Sequence, residues 1–199
     1  MLNIPNIQQA MSVFVAEELS EVLNTKVVIG RINMGLLNRI IIDDVLLDDQ
    51  SGQEMLKVTR LSAKFDIMPF FKGKISISSV QLFGFNINLR KETPDSPPNF
   101  KFVLDAFASK DTVKKENSLD LRINSILIRR GRMSYHVLSE EETPGKFNAK
   151  HIQLQNIIAN ISLKALSKDS LNLGIKRLSL DEKASGFSLK KMSLKLVAN

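Results

Sequence analysis

In the stretch ISISSVQL, Ile75 to Leu82, apolar residues alternate with serines, slip by one, and alternate again. A flat strand has a side-chain period of two. One extra residue should therefore send Val80 and Leu82 to the face opposite Ile75 and Ile77. The pattern (apolar, x, apolar, x, x, apolar, x, apolar) recurs eight times in all. It is carried by Val27, Ile29, Ile32 and Met34, by Ile40, Ile42, Val45 and Leu47, and by Leu56, Val58, Leu61 and Ala63. After the Ile75 unit it returns at Leu121, Ile123, Ile126 and Ile128, at Ile152, Leu154, Ile157 and Ala159, at Leu173, Ile175, Leu178 and Leu180, and at Phe187, Leu189, Met192 and Leu194. The pairs between are GR, DD, TR, SS, NS, QN, KR and KK, all polar or glycine. Hydrophobic residues make up 43% of the chain; at that content a shuffled chain gives roughly two such matches. Two units extend further in the same register, to Ile87 and Leu89 and to Met133 and Tyr135.

Three local structures produce such a slip. The central pair can be a tight turn, but serine or lysine-arginine pairs lack the positive-φ preference that two-residue hairpins need. It can be a point where a strand crosses between sheets. It can be a β-bulge, which absorbs one residue, keeps both apolar pairs on one face and bends the strand. The bulge is the favoured reading, and bulges repeated at one height would curl the whole sheet. Eight strands make a sheet about 38 Å wide, and a helix with its side chains covers ~10–12 Å. The remaining apolar face must close on itself, meet a second sheet or stay open as a trough. On spacing alone a closed barrel or sandwich is the better-supported outcome. An open trough would expose enough apolar surface to demand a ligand.

Asn3 to Asn24 reads as a helix, with Pro5 in the first turn and Asn24 as C-terminal cap. Ile7, Met11, Phe14, Val15, Leu19, Val22 and Leu23 make its apolar stripe. MPFFKGK (68–74), KETPDSPPN (91–99) and LSEEETPGKFN (138–148) read as turns and loops, and Asn99 as the cap of a short helix bearing Phe100, Val103, Leu104 and Phe107. None is a convincing interdomain linker, so residues 1–199 are expected to form a single domain. The fold class that follows is α+β, mainly β, with an N-terminal amphipathic helix and a short helical insertion near 99–109.

No apolar run reaches the ~18 residues of a spanning helix, and MLNIPNIQQ lacks the basic and apolar regions of a signal peptide. FSLKKMSLKLVAN stops while a strand pattern is still running, so the chain is expected to be a piece of a longer protein. With no cysteine there is no disulfide framework and no thiolate metal site. The net charge of +7 suits an anionic partner or plain solubility.

No catalytic constellation emerges, and neither an enzymatic role nor a cofactor is expected. There is no G-x-S-x-G, P-loop or G-x-G-x-x-G. His136 and His151, the only histidines, stand on different segments without a flanking carboxylate cluster, so no metal site is expected. Asp43, Asp44, Asp48 and Asp49 fail the EF-hand spacing, because a glycine, Gly52, falls where an oxygen ligand is needed; a solvated turn ending in Ser51 and Gly52 is the expectation. The basic run RINSILIRRGR (122–132) has strand-period apolar partners, and the chain has one tyrosine and no tryptophan for base stacking, which argues against a nucleic-acid partner.

The order of these features resembles the N-terminal region of the AsmA-like family, in its TamB (translocation and assembly module) branch. NIQQAMSVFVAEELSEVLNTKVVIGRINMGLLNRIIIDDVLLDDQSGQEML resembles the family's opening helix and paired-strand unit, and KFDIMPFFKGKISISSVQLFGFNINLRKE its next unit. PPNFKFVLDAFASKD resembles the helix insertion of Bacteroidetes-type TamB-like proteins. The resemblance implies a strongly curved antiparallel sheet, half-barrel or taco-like, with an apolar interior. It implies a periplasmic protein of the bacterial cell envelope, attached to the inner membrane by an upstream anchor that this sequence does not contain. It further implies phospholipid transport between membranes, a part in outer-membrane assembly, and a TamA-like outer-membrane barrel as partner. The groove would be lined by Ile40, Ile42, Val45, Leu47, Ile75, Ile77, Val80, Leu82, Leu121, Ile123, Ile126 and Ile128. Two alternatives remain open: a structural or docking domain with a closed, dry core, and a basic nucleic-acid binder.

Overall fold

The computed structural model describes residues 5–35, 38–65, 75–108, 119–120, 124–166 and 171–198. Helix α1 spans Pro5–Leu23. Strands β1 (Val27–Gly35), β2 (Arg39–Asp48), β3 (Glu54–Phe65) and β4 (Ile75–Lys91) follow. Helix α2 (Lys101–Ala108) and the two-residue strand β5 (Leu119–Asp120) come next. The chain ends through β6 (Ser125–Val137), β7 (His151–Leu166), β8 (Leu171–Glu182) and β9 (Ser188–Ala198). All the long strands join one curved, open sheet in the order β1-β2-β3-β4-β6-β7-β8-β9, with β5 beside the start of β4. The slipped apolar units fall on the long strands, although the fifth reaches β6 only through Ile126 and Ile128 and the eighth begins one residue before β9. Leu121 and Ile123 of the fifth unit lie outside the described residues.

Neighbours along this path are antiparallel with one exception. Strands β4 and β6 run parallel, from Ser79↔Ser125 to Lys91↔Val137. The expectation of an antiparallel sheet is corrected here, and also at the short β5, which pairs β4 in parallel. A parallel pair needs a crossover connection, and α2 lies on the connection that returns the chain to the starting end of β4.

The curvature has a local cause that the slipped alternation foreshadows. Asp44 (φ 56°), Gly84 (65°), Arg130 (57°) and Asn156 (53°) adopt the left-handed conformation in the middle of β2, β4, β6 and β7. One left-handed residue in an extended chain interrupts the pleat, so the next side chain returns to the same face. Pairs on either side hold Gly30 opposite Asp44, Asp44 opposite Thr59, Thr59 opposite Gly84, and Gly84 beside Arg130. From β1 to β6 this row crosses the strands at one height, left-handed in β2, β4 and β6 but not at Gly30 or Thr59, and the pairing runs through it without a register shift. Beyond β6 each pair carries extra residues in both strands at offset heights, so the register shifts and then shifts back: around Gly131 in β6–β7, between Gln155 and Ile158 and again between Asn160 and Ile161 in β7–β8, and around Leu178 in β8–β9. In β4 the Ser-Ser bulge exists too, since the register shifts opposite Ser78. The row itself, however, passes through Gly84 in that strand and through Arg130 in β6, not through the predicted SS and NS pairs.

Helix α1 ends as the sequence suggests. Asn24 is left-handed (φ 48°), with its N–H donating to Glu21 O at 3.3 Å and that of Thr25 to Ser20 O at 3.1 Å, a Schellman motif. Ala16 and Leu23 join Val27, Ile29, Ile32, Leu47 and Met55 in a buried cluster, with Val15 and Leu19 packed against it. The predicted stripe is partly corrected. Phe14 is 62% exposed and Val22 41%, while Ser12 is buried. The sheet meets the helix along the line of Ser12, Ala16, Leu19 and Leu23, one step round from the helix's most apolar face. The side chains of Ile7 and Met11 lie outside the described residues. Phe100, just before α2, and Phe102, Val103 and Ala106 of the helix pack against the same cluster, whereas Leu104, expected inside, is 57% exposed. Asn99 does not cap α2. Its Oδ1 accepts from Arg90 N, and its Nδ2 donates to Asn88 O and Asp49 Oδ2, so it pins the loop to β4.

Candidate functional site: the open apolar face

Where the row of kinks restores the alternation, apolar residues from both sides of it come to one face. Val58, Phe85 and Ile157 form a second buried cluster, ringed by Val45, Leu56, Leu61, Leu82, Ile87, Ile128, Met133, Leu154 and Leu180. Leu56 and Leu61 lie on either side of the Thr59-Arg60 slip, and Leu82 and Ile87 flank Gly84, yet all four share this face. The face continues beyond the cluster. Ile161, Ile175, Leu178, Leu189 and Met192 are only half-buried, and Leu194 and Leu196 on the edge strand are 42% and 45% exposed. The chain exposes 13677 Å². A compact protein of 22.3 kDa exposes about 9,400 Å². The excess fits a sheet that does not close on itself.

The predicted groove residues are distributed along this face. Leu47 is buried in the cluster beneath α1, with Ile40 and Ile42 packed against it. Val45, Leu82 and Ile128 pack against the second cluster. Val80 and Ile126, neighbours across β4 and β6, are half-buried beside them. The side chains of Ile75 and Ile77, together with Leu121 and Ile123, lie outside the described residues. The centre of the face, which those positions omit, is Phe85. Its ring lies over Gly131, where an added Cβ would come within 2.4 Å of it. The signal was present in the sequence: reading Val80, Leu82, Phe85 and Ile87 as the unit puts Phe83 and Gly84 at the slip, and the glycine is what tolerates the left-handed backbone.

The opposite face is polar and basic, because the central pairs emerge there. Arg129, Arg130 and Arg132 are exposed, and the Arg130 guanidinium stacks 5.3 Å from the Phe83 ring centroid. Arg60 is bound to Asp43 at 2.6 Å. A recess of about 610 Å³ follows the kink row, lined by Lys57, Thr59, Gly84, Arg130, Arg132 and Asn156 among others.

The four aspartates considered for calcium do not converge. Asp43 is bound to Arg60 and Asp44 occupies the kink. The expected turn is there, with Gln50, Ser51 and Gly52 exposed, but Asp49 at its start is 2% exposed and acts as a buried hub. One of its oxygens accepts from Ser51 N (3.0 Å), Ser51 Oγ (2.6 Å) and Gln53 N (3.1 Å); the other pairs with Arg90 at 2.7 Å. Burial alone would raise its pKa; the bonds from Ser51, Asn99 and Gln53 outweigh that and hold it below the ordinary carboxylate range. Glu182 plays the same part in the β8–β9 turn, accepting from Gln153 N, Ala184 N and Ser185 N. Burial again acts upward, but these bonds and the Ser185 hydroxyl bring it down to about 2.

The two histidines, expected to stand apart without carboxylates, are brought together. They are partners across β6 and β7, and Glu142 of the connecting loop reaches them. The fifteen-residue separation gave no spacing signal, because only the strand register decides that they meet. No helix among the described residues is long and apolar enough to cross a membrane. Compared with protein-family models and with curated proteins, the chain matches none.

Proposed function

We propose that this chain is a non-enzymatic lipid-handling module of the bacterial cell envelope, in which the open apolar face shelters phospholipid acyl chains while their headgroups stay in water. The observation that carries the reading is the uncovered, half-buried apolar surface from β6 to β9, to which neither helix contributes a packed side chain among the described residues. Burial of each acyl CH₂ contributes ~0.8 kcal/mol, so affinity needs few polar contacts. The resemblance to TamB-like proteins supports the same reading. It extends the proposal to transport between membranes and outer-membrane assembly, to periplasmic attachment at the inner membrane, and to a TamA-like barrel partner.

Native mass spectrometry and solvent extraction of the purified chain, with uptake of a fluorescent phospholipid, test the proposal. We expect co-purified phospholipid and saturable uptake. The pair Leu178→Asp and Met192→Asp, opposite each other across β8 and β9, should lower both severalfold with an unchanged circular dichroism spectrum. Lipid-free protein that takes up no probe would sink the reading. One observation favours the docking alternative: Leu194, Leu196 and Val197 are exposed on the edge strand β9, where a partner's strand can pair. Under that alternative, changes along the β9 edge abolish partner binding and lipid is never recovered.

A further inference from the structure

We propose that His136, His151 and Glu142 form a binding site for a divalent transition-metal ion of the zinc class. Register brings the residues together. His136 and His151 are directly opposite across β6 and β7, which places both rings on the polar face at the end of the hairpin. Their Nδ1 atoms are 3.0 Å apart. Glu142 Oε1 lies 3.8 Å from the first and 4.0 Å from the second. Metal–ligand bonds of about 2.0–2.2 Å put neighbouring donors roughly 3.0–3.5 Å from one another. Glu142, whose side chain is 63% exposed, is free to swing the remaining half-ångström or so.

The second ring nitrogen of His151 sets its chemistry. Nε2 lies 2.9 Å from the carbonyl oxygen of Glu140. A carbonyl only accepts, so Nε2 carries the proton and the Nδ1 lone pair points at the other two donors. Holding a ligating histidine by a backbone carbonyl on its far nitrogen is the usual outer-shell arrangement of such sites. His151 is 8% exposed, so its ring is held in place. In the metal-free hairpin His136 Nδ1 donates to that lone pair. On binding, His136 moves its proton to Nε2 and both Nδ1 atoms face the ion, with no change in the net charge of either ring.

The surroundings fit one ion. Glu140 is engaged by Lys150 at 2.6 Å, which leaves Glu142 as the carboxylate of the site. The site adjoins a recess of about 290 Å³ lined by Thr143, Asn148, Gln153 and Lys183 among others. Three protein donors leave a position open on that side for water or a further ligand. Two imidazoles and one carboxylate suit zinc, nickel or copper and disfavour calcium and magnesium, which require oxygen shells. Bound there, the ion would tie the 138–150 loop to the strand ends.

Isothermal titration of the untagged, chelator-treated chain with zinc chloride tests the site, with cobalt(II) absorption as a second readout. The expected result is one equivalent bound with micromolar or tighter affinity and a cobalt spectrum characteristic of nitrogen and oxygen ligands. His136→Ala, at a half-buried position, and Glu142→Gln, at an exposed one, should each weaken binding at least tenfold while circular dichroism stays unchanged. Absence of saturable zinc binding below about 100 μM, or affinity unchanged in both variants, overturns the proposal and leaves a neutral hydrogen-bonded histidine pair.

Discussion

The two ends of the sheet use the same strand pattern and come to opposite results. At the β1–β3 end the apolar face is dry: α1 and α2 lie over it, and Val27, Ile29, Ile32, Leu47 and Met55 are buried. At the β7–β9 end equivalent residues such as Ile175, Leu178 and Met192 remain half-exposed. The pairing differs in parallel. Up to β6 the strands pair through one transverse row without a register shift there, whereas from β6 onward the register shifts and shifts back within each pair. The same code thus makes a core where a helix covers it and an open surface where none does. Whether apolar area stabilises the fold or waits for a ligand depends on the covering element.

The sharpest way to break this comparison is to delete the same side chain at both ends. Leu47→Ala should cost about 2–5 kcal/mol in denaturant unfolding, the range for a packed leucine leaving a cavity. Leu178→Ala should cost under about 1.5 kcal/mol, because water already reaches that position. Equal losses would mean that the β7–β9 end is covered in solution. A smaller effect is expected at the boundary between the ends. Gly131→Ala drives a methyl to within 2.4 Å of the Phe85 ring and 3.0 Å of Ile157 Cβ, and should cost about 1–3 kcal/mol. Adding Phe85→Leu should recover part of that loss, a non-additivity that a double-mutant cycle measures.

The smallest difference concerns acid. Asp49 at the covered end and Glu182 at the open end both have folded pKa values below their unfolded ones. Each contributes stability that is complete above the unfolded pKa and lost as pH falls through the folded one. For Glu182 that window runs from 4.5 down to about 2. Melting temperature should decline over this range, and Glu182→Gln should flatten the decline; an unchanged slope would remove Glu182 from the account.

Much of this architecture was legible in residues. The slipped units mark the long strands, the fifth through Ile126 and Ile128 alone, because alternation is a one-dimensional signal that any half-buried strand must carry. Asn24 marked the end of α1 for the same local reason. The face of α1 was misread at Phe14 and Val22, since a helix with apolar residues on several sides does not declare which one the sheet takes. Asp49 looked like a solvated turn residue because Arg90 and Asn99, which satisfy it, arrive from distant parts of the chain.

By itself the sequence determined that the chain builds strands with a mid-strand slip, that both halves of each strand are apolar on alternate residues, and that a helix precedes them. These are local matters of backbone preference and side-chain period. Only the tertiary structure decided that Gly84 and Arg130 carry the kink in β4 and β6, that β6 runs parallel to β4, and that His136, His151 and Glu142 converge. Each depends on register and crossover, which are set by how strands pair across space, and no stretch of the chain read alone contains its neighbour.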